Sequence, residues 1–284
     1  MELILLVGPP GSGKSTYAKQ YIDQGYTYIN QDLQGKTEHF QLFTEAVIAQ
    51  KDIIVDRMNF SKEQRSRYLN AVGTYKTKIV VLHESYNTCL QRCKNREHLT
   101  IKDEKTAKKV LNFFFSKYER VEDSEADEVI RIWPEGEKPL AIICDLDGTL
   151  CNLDHRLHYV KKEGKKDWMS FFEQLINDQA NMWCLEMLTA LKSNIILFCS
   201  GRPSNYRNLT LSWLYDYLPH DMRFDLFMRY EGDYRQDNIA KEILLDFEIL
   251  TNYTPYFIID DRKQVVDMWR KRGFTCLQCT DGEF

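Results

Sequence analysis

The sequence predicts two α/β domains in one chain, each built on a doubly wound parallel sheet. Two motifs predict this architecture, because each directly follows a short apolar run that is typical of a buried strand. The length agrees, since 284 residues suffice for two cores of ordinary size. We expect an N-terminal domain over residues 1–133, a linker over 134–139 and a C-terminal domain over 140–284.

The composition describes a globular protein, with 43% hydrophobic and 28% charged residues. The formal charge of −4 gives no overall sign of a polyanion-binding protein, so contact with nucleic acid would require local basic patches. The N-terminal apolar run is only Leu3 to Val7, and no run approaches membrane-spanning length. We therefore expect reduced cysteines, no membrane partner and a cytoplasmic protein in a bacterial or phage-infected cell.

The first motif is Gly8-Pro9-Pro10-Gly11-Ser12-Gly13-Lys14-Ser15, which fits Gly-x-x-x-x-Gly-Lys-Ser in full. It stands between a predicted strand and a helical pattern over Thr16 to Ile22, so backbone N–H groups and the helix N-terminus can wrap a phosphate. Lys14 can reach the β- and γ-phosphates, and the Ser15 hydroxyl can bind Mg²⁺. The predicted ATP-binding residues are Gly8, Gly11, Ser12, Gly13, Lys14, Ser15, Thr16, Arg92 and Arg96.

Two acids follow the next predicted strands of this domain. Asp32 comes after the strand Tyr26 to Ile29, and it can either accept a proton from an attacking hydroxyl or cap the following helix. Asp56 follows the strand Ile53 to Val55, in the place of an acid that holds Mg²⁺ directly or through water. We expect substrate contacts from Asp56, Arg57 and Asn59, although the segment from Asn59 can also form a capping turn.

Two predicted helices complete the N-terminal domain. The helix Tyr86 to Lys94 places Arg92 and then Arg96 near its end, which favours either a lid over the triphosphate or a solvated basic face. The helix Lys105 to Tyr118 carries a broad apolar side, which predicts core packing or a subunit interface.

The second motif is Asp145-Leu146-Asp147-Gly148-Thr149, after the apolar run Leu140 to Cys144. The first Asp can attack phosphorus to form an aspartyl-phosphate, and the second can exchange a proton with the leaving oxygen. The alternative is a solvated acidic turn. The charged segment Lys161 to Asp167, with the aromatics after it, predicts a small helical cap.

Later strand ends supply the remaining C-terminal candidates. Ser200-Gly201-Arg202 can bind a phosphoryl group, a helical Lys241 can neutralise charge, and Asp260-Asp261 suit Mg²⁺. The predicted substrate-binding residues are Asp56, Arg57, Asn59, Arg156, Ser200, Gly201, Arg202 and Arg229. The predicted catalytic residues are Lys14, Asp32, Arg96, Asp145, Asp147 and Lys241, and the predicted metal ligands are Ser15, Asp145, Asp147, Asp260 and Asp261.

The N-terminal elements resemble those of polynucleotide 5′-hydroxyl kinases, which carry them in the same order. This resemblance implies that Asp32 is the general base for a 5′-OH and that Lys14, Ser15 and Arg96 lie at the donor phosphates, with Arg92 nearby. One position departs from the bacteriophage pattern, where an arginine follows the base by three residues. Gly35 stands there in this chain, and Lys36 comes next.

The second motif resembles that of the haloacid dehalogenase-type phosphotransferases. The C-terminal half resembles the 3′-phosphatase half of bacteriophage polynucleotide kinase/3′-phosphatase, most densely over residues 258–270 and at 282–284. The resemblance implies a bifunctional enzyme that heals 5′-OH and 3′-phosphate ends of RNA or DNA, with a polynucleotide ligase as functional partner and possible self-association. The alternatives are a small-molecule kinase fused to a metabolite phosphatase, a phosphatase with a non-catalytic ATP-binding domain, and a non-enzymatic nucleic-acid tether.

Overall fold

The computed structural model describes residues 1–95, 103–161 and 166–281. The chain divides into two compact units, Met1–Glu135 and Gly136–Phe284. Each unit contains a five-stranded, wholly parallel sheet, which confirms the predicted fold class.

The N-terminal unit alternates strands and helices. Its strands are β1 (Glu2–Val7), β2 (Thr27–Asn30), β3 (Ile53–Asp56), β4 (Lys76–Leu82) and β5 (Glu128–Ile132). Its helices are α1 (Lys14–Ile22), α2 (Gln31–Gln34), α3 (Glu38–Ile48), α4 (Lys62–Leu69), α5 (Tyr86–Lys94) and α6 (Glu104–Lys117), with a 3₁₀ turn at Asp123–Glu125.

The strand order β2-β3-β1-β4-β5 puts β1 in the centre of this sheet. Leu3 to Val7 are fully buried, because both faces of a central parallel strand are covered, and this explains the unbroken apolar run. The order also places β3 between β1 and β2, with Asp56 in register with Leu6 on one side and Asn30 on the other. The segments that follow these three strands therefore emerge side by side.

The C-terminal unit has the strand order β10-β9-β6-β11-β12, with β6 in the centre. Its strands are β6 (Leu140–Cys144), β7 (Cys151–Asn152), β8 (Gln179–Ala180), β9 (Ile195–Pro203), β10 (Phe224–Arg229), β11 (Thr254–Asp260) and β12 (Cys276–Gln278), of which β7 and β8 form a separate antiparallel pair. Its helices are α7 (His158–Lys161), α8 (Trp168–Glu173), α9 (Met182–Ala190), α10 (Arg207–Tyr217), α11 (Asp237–Leu244), α12 (Leu250–Asn252) and α13 (Lys263–Lys271), with 3₁₀ turns at Gln174–Asn177 and Ser204–Tyr206 and a π-helical turn at Leu245–Ile249.

The predicted cap corresponds to α7 and α8, between which residues 162–165 lie outside the described part of the chain. Phe171 anchors this insertion, since it is buried in the same apolar cluster as Cys144 of β6. The short helices therefore pack onto the sheet domain that carries the second motif.

Strand β9 extends beyond its apolar run. The apolar run stops at Cys199, but the strand continues through Ser200-Gly201-Arg202 to Pro203. Its pairing with β10 shifts register there, from Met228 opposite Ser200 to Arg229 opposite Pro203. Such an irregularity releases residues from regular pairing and redirects their side chains, and it left no mark in the hydrophobic pattern.

Helix α6 buries Leu111, Phe114 and Phe115, which agrees with core packing. Phe113 is 46% exposed and contacts Phe60. Self-association through this helix stays a prediction.

Candidate active sites

The phosphate-binding loop of the N-terminal unit spans the gap between β1 and α1. Gly13 has a φ of 97° and is the N-cap of α1, and Gly11 has a φ of 87°. A Cβ atom at Gly11 would lie 2.7 Å from the Cys89 carbonyl oxygen, so this position excludes a side chain for two independent reasons. The loop is held by α5 on one side and leaves its backbone N–H groups at a helix N-terminus, where phosphates bind.

Lys14 is buried within this loop. Its ammonium donates to the carbonyl oxygens of Gly8, at 2.9 Å, and Pro9, at 2.8 Å. Nucleotide phosphates at the loop would compete for these N–H groups.

A carboxylate lies directly beside the loop. The Ser15 hydroxyl donates to Asp56 Oδ2 at 2.6 Å, and the same oxygen accepts from Tyr28 and from Asn30. Burial and the neighbouring Asp56 carboxylate raise the pKa of Tyr28 to about 12, so the phenol stays a donor. Ser15 and Asp56 thus meet where a hard cation next to nucleotide phosphates could be held.

Asp32 lies at the edge of the same site, in the first turn of α2. Asn30 is the N-cap of α2, since its side-chain oxygen accepts from the N–H groups of Asp32 and Leu33. The alternative prediction, that Asp32 caps this helix, is therefore wrong. Its carboxylate is exposed and available for other chemistry.

The arginines of the predicted lid have different outcomes. Arg92 donates to the Gly11 carbonyl oxygen at 3.1 Å and forms a 2.9 Å ion pair with Glu84, so it contacts the phosphate-binding loop. Arg96 lies outside the described residues.

Asn59 has a structural position that differs from the predicted substrate contact. It is buried with a φ of 45°, and its amide donates to the Leu6 carbonyl oxygen at 2.9 Å. Ser61 then caps α4 by accepting from the Gln64 N–H, so the predicted capping turn forms. Arg57, in contrast, is half-buried and accessible.

The candidate site of the C-terminal unit is a cluster of buried charges. Asp145 follows the central strand β6, Asp260 is the last residue of the neighbouring strand β11, and Asp261 follows it. The three carboxylates offer oxygens that lie within 4.8 Å of one another. Lys241 of α11 reaches them from another element, with its ammonium 2.5 Å from Asp145 and 2.9 Å from Asp260.

The electrostatics of this cluster follow from its burial. Burial raises the pKa of Asp145 well above its ordinary value, Lys241 opposes the shift, and Asp260 adds to it. Burial and Asp260 likewise raise the pKa of Asp261 to about 6. Burial disfavours charge on Lys241, but Asp145 and Asp260 outweigh it and raise its pKa.

The cluster fits a divalent cation. Three buried carboxylates face one ammonium group, so negative charge is in excess. Among the described residues, the buried Asp261 Oδ2 has no hydrogen-bond partner, and a carboxylate oxygen of this kind is a ligand that Mg²⁺ prefers.

Asp147 points to a different set of groups. Its carboxylate accepts from Arg156 and from Arg202, each at 2.6 Å, and both arginines also bind Asp178. Burial would raise the pKa of Asp147, but the two guanidinium groups outweigh it and hold that pKa well below its usual range. The predicted metal-ligand role of this carboxylate is therefore not supported by its contacts.

The predicted substrate contacts of Arg156 and Arg202 are likewise not supported by the positions of these side chains. Both side chains have no exposed surface, because they lie between the Asp147 and Asp178 carboxylates. They are placed to position Asp147 rather than to reach a substrate directly.

Asp178 had no recognisable signal in the sequence, since it lies in an irregular segment before β8. Its role as the second partner of both arginines emerges only when the chain folds.

Ser200 and Gly201 lie beside Asp237 at the start of α11. A Cβ atom at Gly201 would be 2.0 Å from Asp237 Oδ1, so the Asp237 carboxylate occupies the space that a side chain at Gly201 would need. Arg229 fixes this arrangement by donating to the Gly201 carbonyl oxygen at 2.8 Å and pairing with Asp237 at 3.3 Å. Asp237 was not among the predicted site residues, although it precedes Lys241 by four positions on the same helix, and this spacing is a usable signal.

No helix within the described ranges is long and apolar enough to cross a membrane. All eight cysteines are free thiols, and seven of them are buried.

Known proteins resemble both units. A family profile described as the polynucleotide kinase PNKP phosphatase domain matches residues 139–284, slightly more than half of the chain. A second profile, described as an AAA domain, matches residues 3–121.

Relatives extend the comparison. A protein of Autographa californica nuclear polyhedrosis virus, named as a candidate bifunctional polynucleotide kinase/RNA ligase, is 27% identical, covering 95% of this chain and 41% of its own length. A Schizosaccharomyces pombe bifunctional polynucleotide phosphatase/kinase is 33% identical, covering 33% of this chain and 24% of its own. The chain thus spans less than half the length of these curated relatives.

A solved structure of a Pnkp1/Rnl/Hen1 complex contains a similar chain. It is 26% identical, and the match covers 100% of this chain and 97% of that one with a TM-score of 0.41. The family profile decides the assignment, because it covers most of the C-terminal unit and includes Asp145, Lys241, Asp260 and Asp261. On this ground the chain belongs to the family of the polynucleotide kinase PNKP phosphatase domain.

Proposed function

We propose that this protein heals broken nucleic-acid ends, by phosphorylating 5′-OH groups with ATP and removing 3′-phosphates. One observation carries the proposal. The same chain combines a carboxylate site of the polynucleotide phosphatase family with a separate phosphate-binding loop that has an accessible acid at its edge. The two sites lie in different compact units, so each can act on its own end.

In the N-terminal unit, the loop amides, Lys14 and Arg92 hold the ATP phosphates. The 5′-oxygen of the acceptor attacks the γ-phosphorus of ATP while Asp32 takes the proton of the 5′-OH. The bond between the γ-phosphorus and the oxygen that stays with ADP then breaks. Ser15 and Asp56 are the residues that would hold the Mg²⁺ of the nucleotide. Most of the rate enhancement comes from positioning and from compensation of phosphate charge. Arg96 remains a proposed contact of the donor phosphates.

In the C-terminal unit, an Asp145 oxygen attacks the phosphorus of a 3′-phosphate. The bond between phosphorus and the 3′-oxygen breaks, and that oxygen leaves with a proton. Water then attacks the aspartyl-phosphate, which releases inorganic phosphate and restores the carboxylate. Lys241 offsets the charge of Asp145. Ser200 and Gly201 are the proposed contacts of the transferring phosphoryl oxygens, because Gly201 packs against Asp237, which lies 3.7 Å from Lys241.

Asp147 is the proposed proton-transfer group. Its two arginines hold it as a carboxylate in the resting site, which suits the second step, where it accepts a proton from attacking water. In the first step it donates to the 3′-oxygen, and it can carry that proton only while a bond to Arg156 or Arg202 is weakened. The pair of arginines therefore sets the pKa on which the reaction depends.

Asp145, Asp260 and Asp261 are the residues that would hold Mg²⁺ in this unit. When bound, the ion neutralises the repulsion between the attacking carboxylate and the phosphate. Until then Lys241 compensates only part of the cluster charge.

The products, a 5′-phosphate and a 3′-OH, are the ends that a polynucleotide ligase joins. We therefore infer a ligase as functional partner, which agrees with the viral relative whose name joins a polynucleotide kinase to an RNA ligase. A cytoplasmic location fits the eight free thiols.

The test uses an oligonucleotide with a 5′-OH and a 3′-phosphate, prepared as RNA and as DNA, with Mg²⁺ and labelled ATP. Wild type is expected to label the 5′ end and release the 3′-phosphate. Release without labelling would indicate a kinase fold that no longer transfers phosphate, and activity only on free sugars or nucleosides would indicate a small-molecule kinase. The RNA and DNA arms identify the preferred polymer.

A further inference from the structure

Arg57 emerges at the centre of the N-terminal site. It follows Asp56 at the end of β3, which lies between β1, which leads into the phosphate-binding loop, and β2, which leads to Asp32. Its backbone is well fixed, since the Asp56 side chain binds Ser15, Tyr28 and Asn30. The backbone of Arg57 therefore lies between the strand that leads into the phosphate-binding loop and the strand that leads to Asp32.

A directional chain of hydrogen bonds holds its side chain. Gly35 supplies a carbonyl oxygen, which can only accept, so His39 Nδ1 carries the proton of their 2.8 Å bond. Burial lowers the pKa of His39, so the ring is neutral and its Nε2 accepts from the Tyr68 hydroxyl at 3.1 Å. The Tyr68 oxygen in turn accepts from Arg57 Nη1 at 2.8 Å.

This chain of hydrogen bonds requires two polar side chains to be buried, which apolar packing alone does not explain. His39 and Tyr68 are both buried, and their polar atoms take part in the chain of hydrogen bonds that orients the half-buried guanidinium group of Arg57. At its other end the chain reaches Gly35, which terminates the short helix α2 that carries Asp32. The chain of hydrogen bonds thereby connects Arg57 to the helix that carries the proposed base.

The charge of Arg57 is the second observation. Within the described ranges Arg57 forms no ion pair with a carboxylate, whereas Arg65 of the same region is paired with Glu125 at 2.6 Å. Guanidinium has five N–H donors, is always charged and matches phosphate oxygens in pairs. An accessible guanidinium group that has no ion pair with a carboxylate is suited to bind an anionic ligand.

We propose that Arg57 binds the first internucleotide phosphate of the acceptor strand, and that Tyr68 and His39 are the residues that position it. This inference rests on the proposed kinase function and adds to it a substrate requirement. A 5′-OH is then phosphorylated efficiently only when a phosphate stands on the 3′ side of the same nucleoside, so the enzyme discriminates a polynucleotide end from a free nucleoside.

The experiment compares two acceptors with a 5′-OH, a nucleoside and a dinucleoside monophosphate. The internucleotide phosphodiester is not a 3′-terminal phosphate, so the second unit leaves it intact. Wild type is expected to prefer the dinucleotide by about 10- to 100-fold in kcat/KM, the value of a charge-assisted bond. Arg57→Gln is expected to remove most of this preference by raising KM for the dinucleotide, with KM for ATP unchanged.

Positioning by the hydrogen-bond chain has its own variant. Tyr68→Phe keeps the ring and removes the hydroxyl, so we expect a smaller rise in KM, roughly three- to tenfold, for the dinucleotide alone. Arg57→Lys, which keeps the charge without the paired donors, is expected to recover part of the lost preference. A merely structural role would instead lower kcat on both acceptors.

Arg67→Gln is the matched control, since Arg67 is an exposed arginine of the same region that packs over Phe40. It is expected to leave both acceptors unaffected. Equal losses in Arg57→Gln and Arg67→Gln, a raised KM for ATP in Arg57→Gln, or a wild type that uses both acceptors equally would each overturn the inference. A wild type that phosphorylates neither acceptor would instead overturn the kinase function itself. An unchanged KM for ATP reports that the N-terminal unit, which carries all of these substitutions, is folded in each variant.

Discussion

The two candidate sites are built by opposite means. The N-terminal site relies on the backbone of a contiguous loop, and its proposed base, Asp32, is exposed at the edge. The C-terminal site collects buried charges from separate segments, with Asp145, Lys241 and Asp260 meeting over 115 residues of sequence. Backbone dipoles need no compensation, whereas buried carboxylates and ammonium groups must be balanced against one another. Substitutions should therefore have local effects in the first site and cooperative ones in the second.

The largest expected effect is the loss of the nucleophile. Asp145→Asn should reduce release of phosphate from a 3′-phosphorylated oligonucleotide by at least about a thousandfold, because no aspartyl-phosphate can form. Labelling of 5′-OH ends should stay within about twofold of wild type in the same preparation. The exposed Asp154→Asn is the control and should leave both activities intact. Loss of both activities in Asp145→Asn would mean that the two units do not act separately.

The reciprocal substitution should have a smaller effect. Asp32→Asn removes a proposed proton acceptor while the loop and Lys14 still position ATP, so we expect 5′ phosphorylation to fall roughly 100- to 1,000-fold. KM for ATP should be nearly unchanged, and phosphatase activity should be unaffected. The exposed Asp23→Asn provides the matched control. An unaltered kinase rate in Asp32→Asn would assign proton acceptance to another group.

Gly201→Ala tests how tightly the second site is built. The new methyl group would collide with Asp237, which pairs with Arg229 and lies 3.7 Å from Lys241, so the disturbance reaches the charge cluster. We expect phosphatase kcat to fall about 10- to 100-fold with the fold retained.

Gly273→Ala is the control for Gly201→Ala. Gly273 has a φ of 86° but no atom within 4 Å of an added Cβ, so the substitution strains the backbone without crowding a site. It should lower the free energy of unfolding by about 1 kcal/mol and leave phosphatase kcat unchanged. If Gly201→Ala behaved in the same way, the close approach to Asp237 would have no catalytic consequence.

The contrast between the sites also explains what the sequence could predict. The phosphate-binding loop could be predicted because its residues are contiguous and flanked by an apolar run and a helical pattern. Asp145, Asp260 and Asp261 could be predicted because they are acids at the ends of apolar strands. The contacts of Arg156 and Arg202 were not, because their partner Asp178 lies in an irregular segment, and no local pattern encodes a pairing across 22 or 24 residues. The extension of β9 was missed because polar residues continue the strand after its apolar run has ended.

The smallest expected effect concerns pH and separates the sites again. Burial and Asp260 raise the pKa of Asp261 to about 6, so this carboxyl takes up a proton as the pH falls through 6 and loses its charge as a metal ligand. Each further unit of pH should therefore weaken Mg²⁺ binding by up to about tenfold, which will appear as a rising Mg²⁺ requirement of phosphate release between pH 7 and pH 5. Asp261→Asn should need more Mg²⁺ than wild type above pH 6 and lose this dependence around pH 6. Wild type and Asp261→Asn with parallel profiles would place the titrating group elsewhere in the cluster, with Asp145 as the next candidate because burial raises its pKa as well.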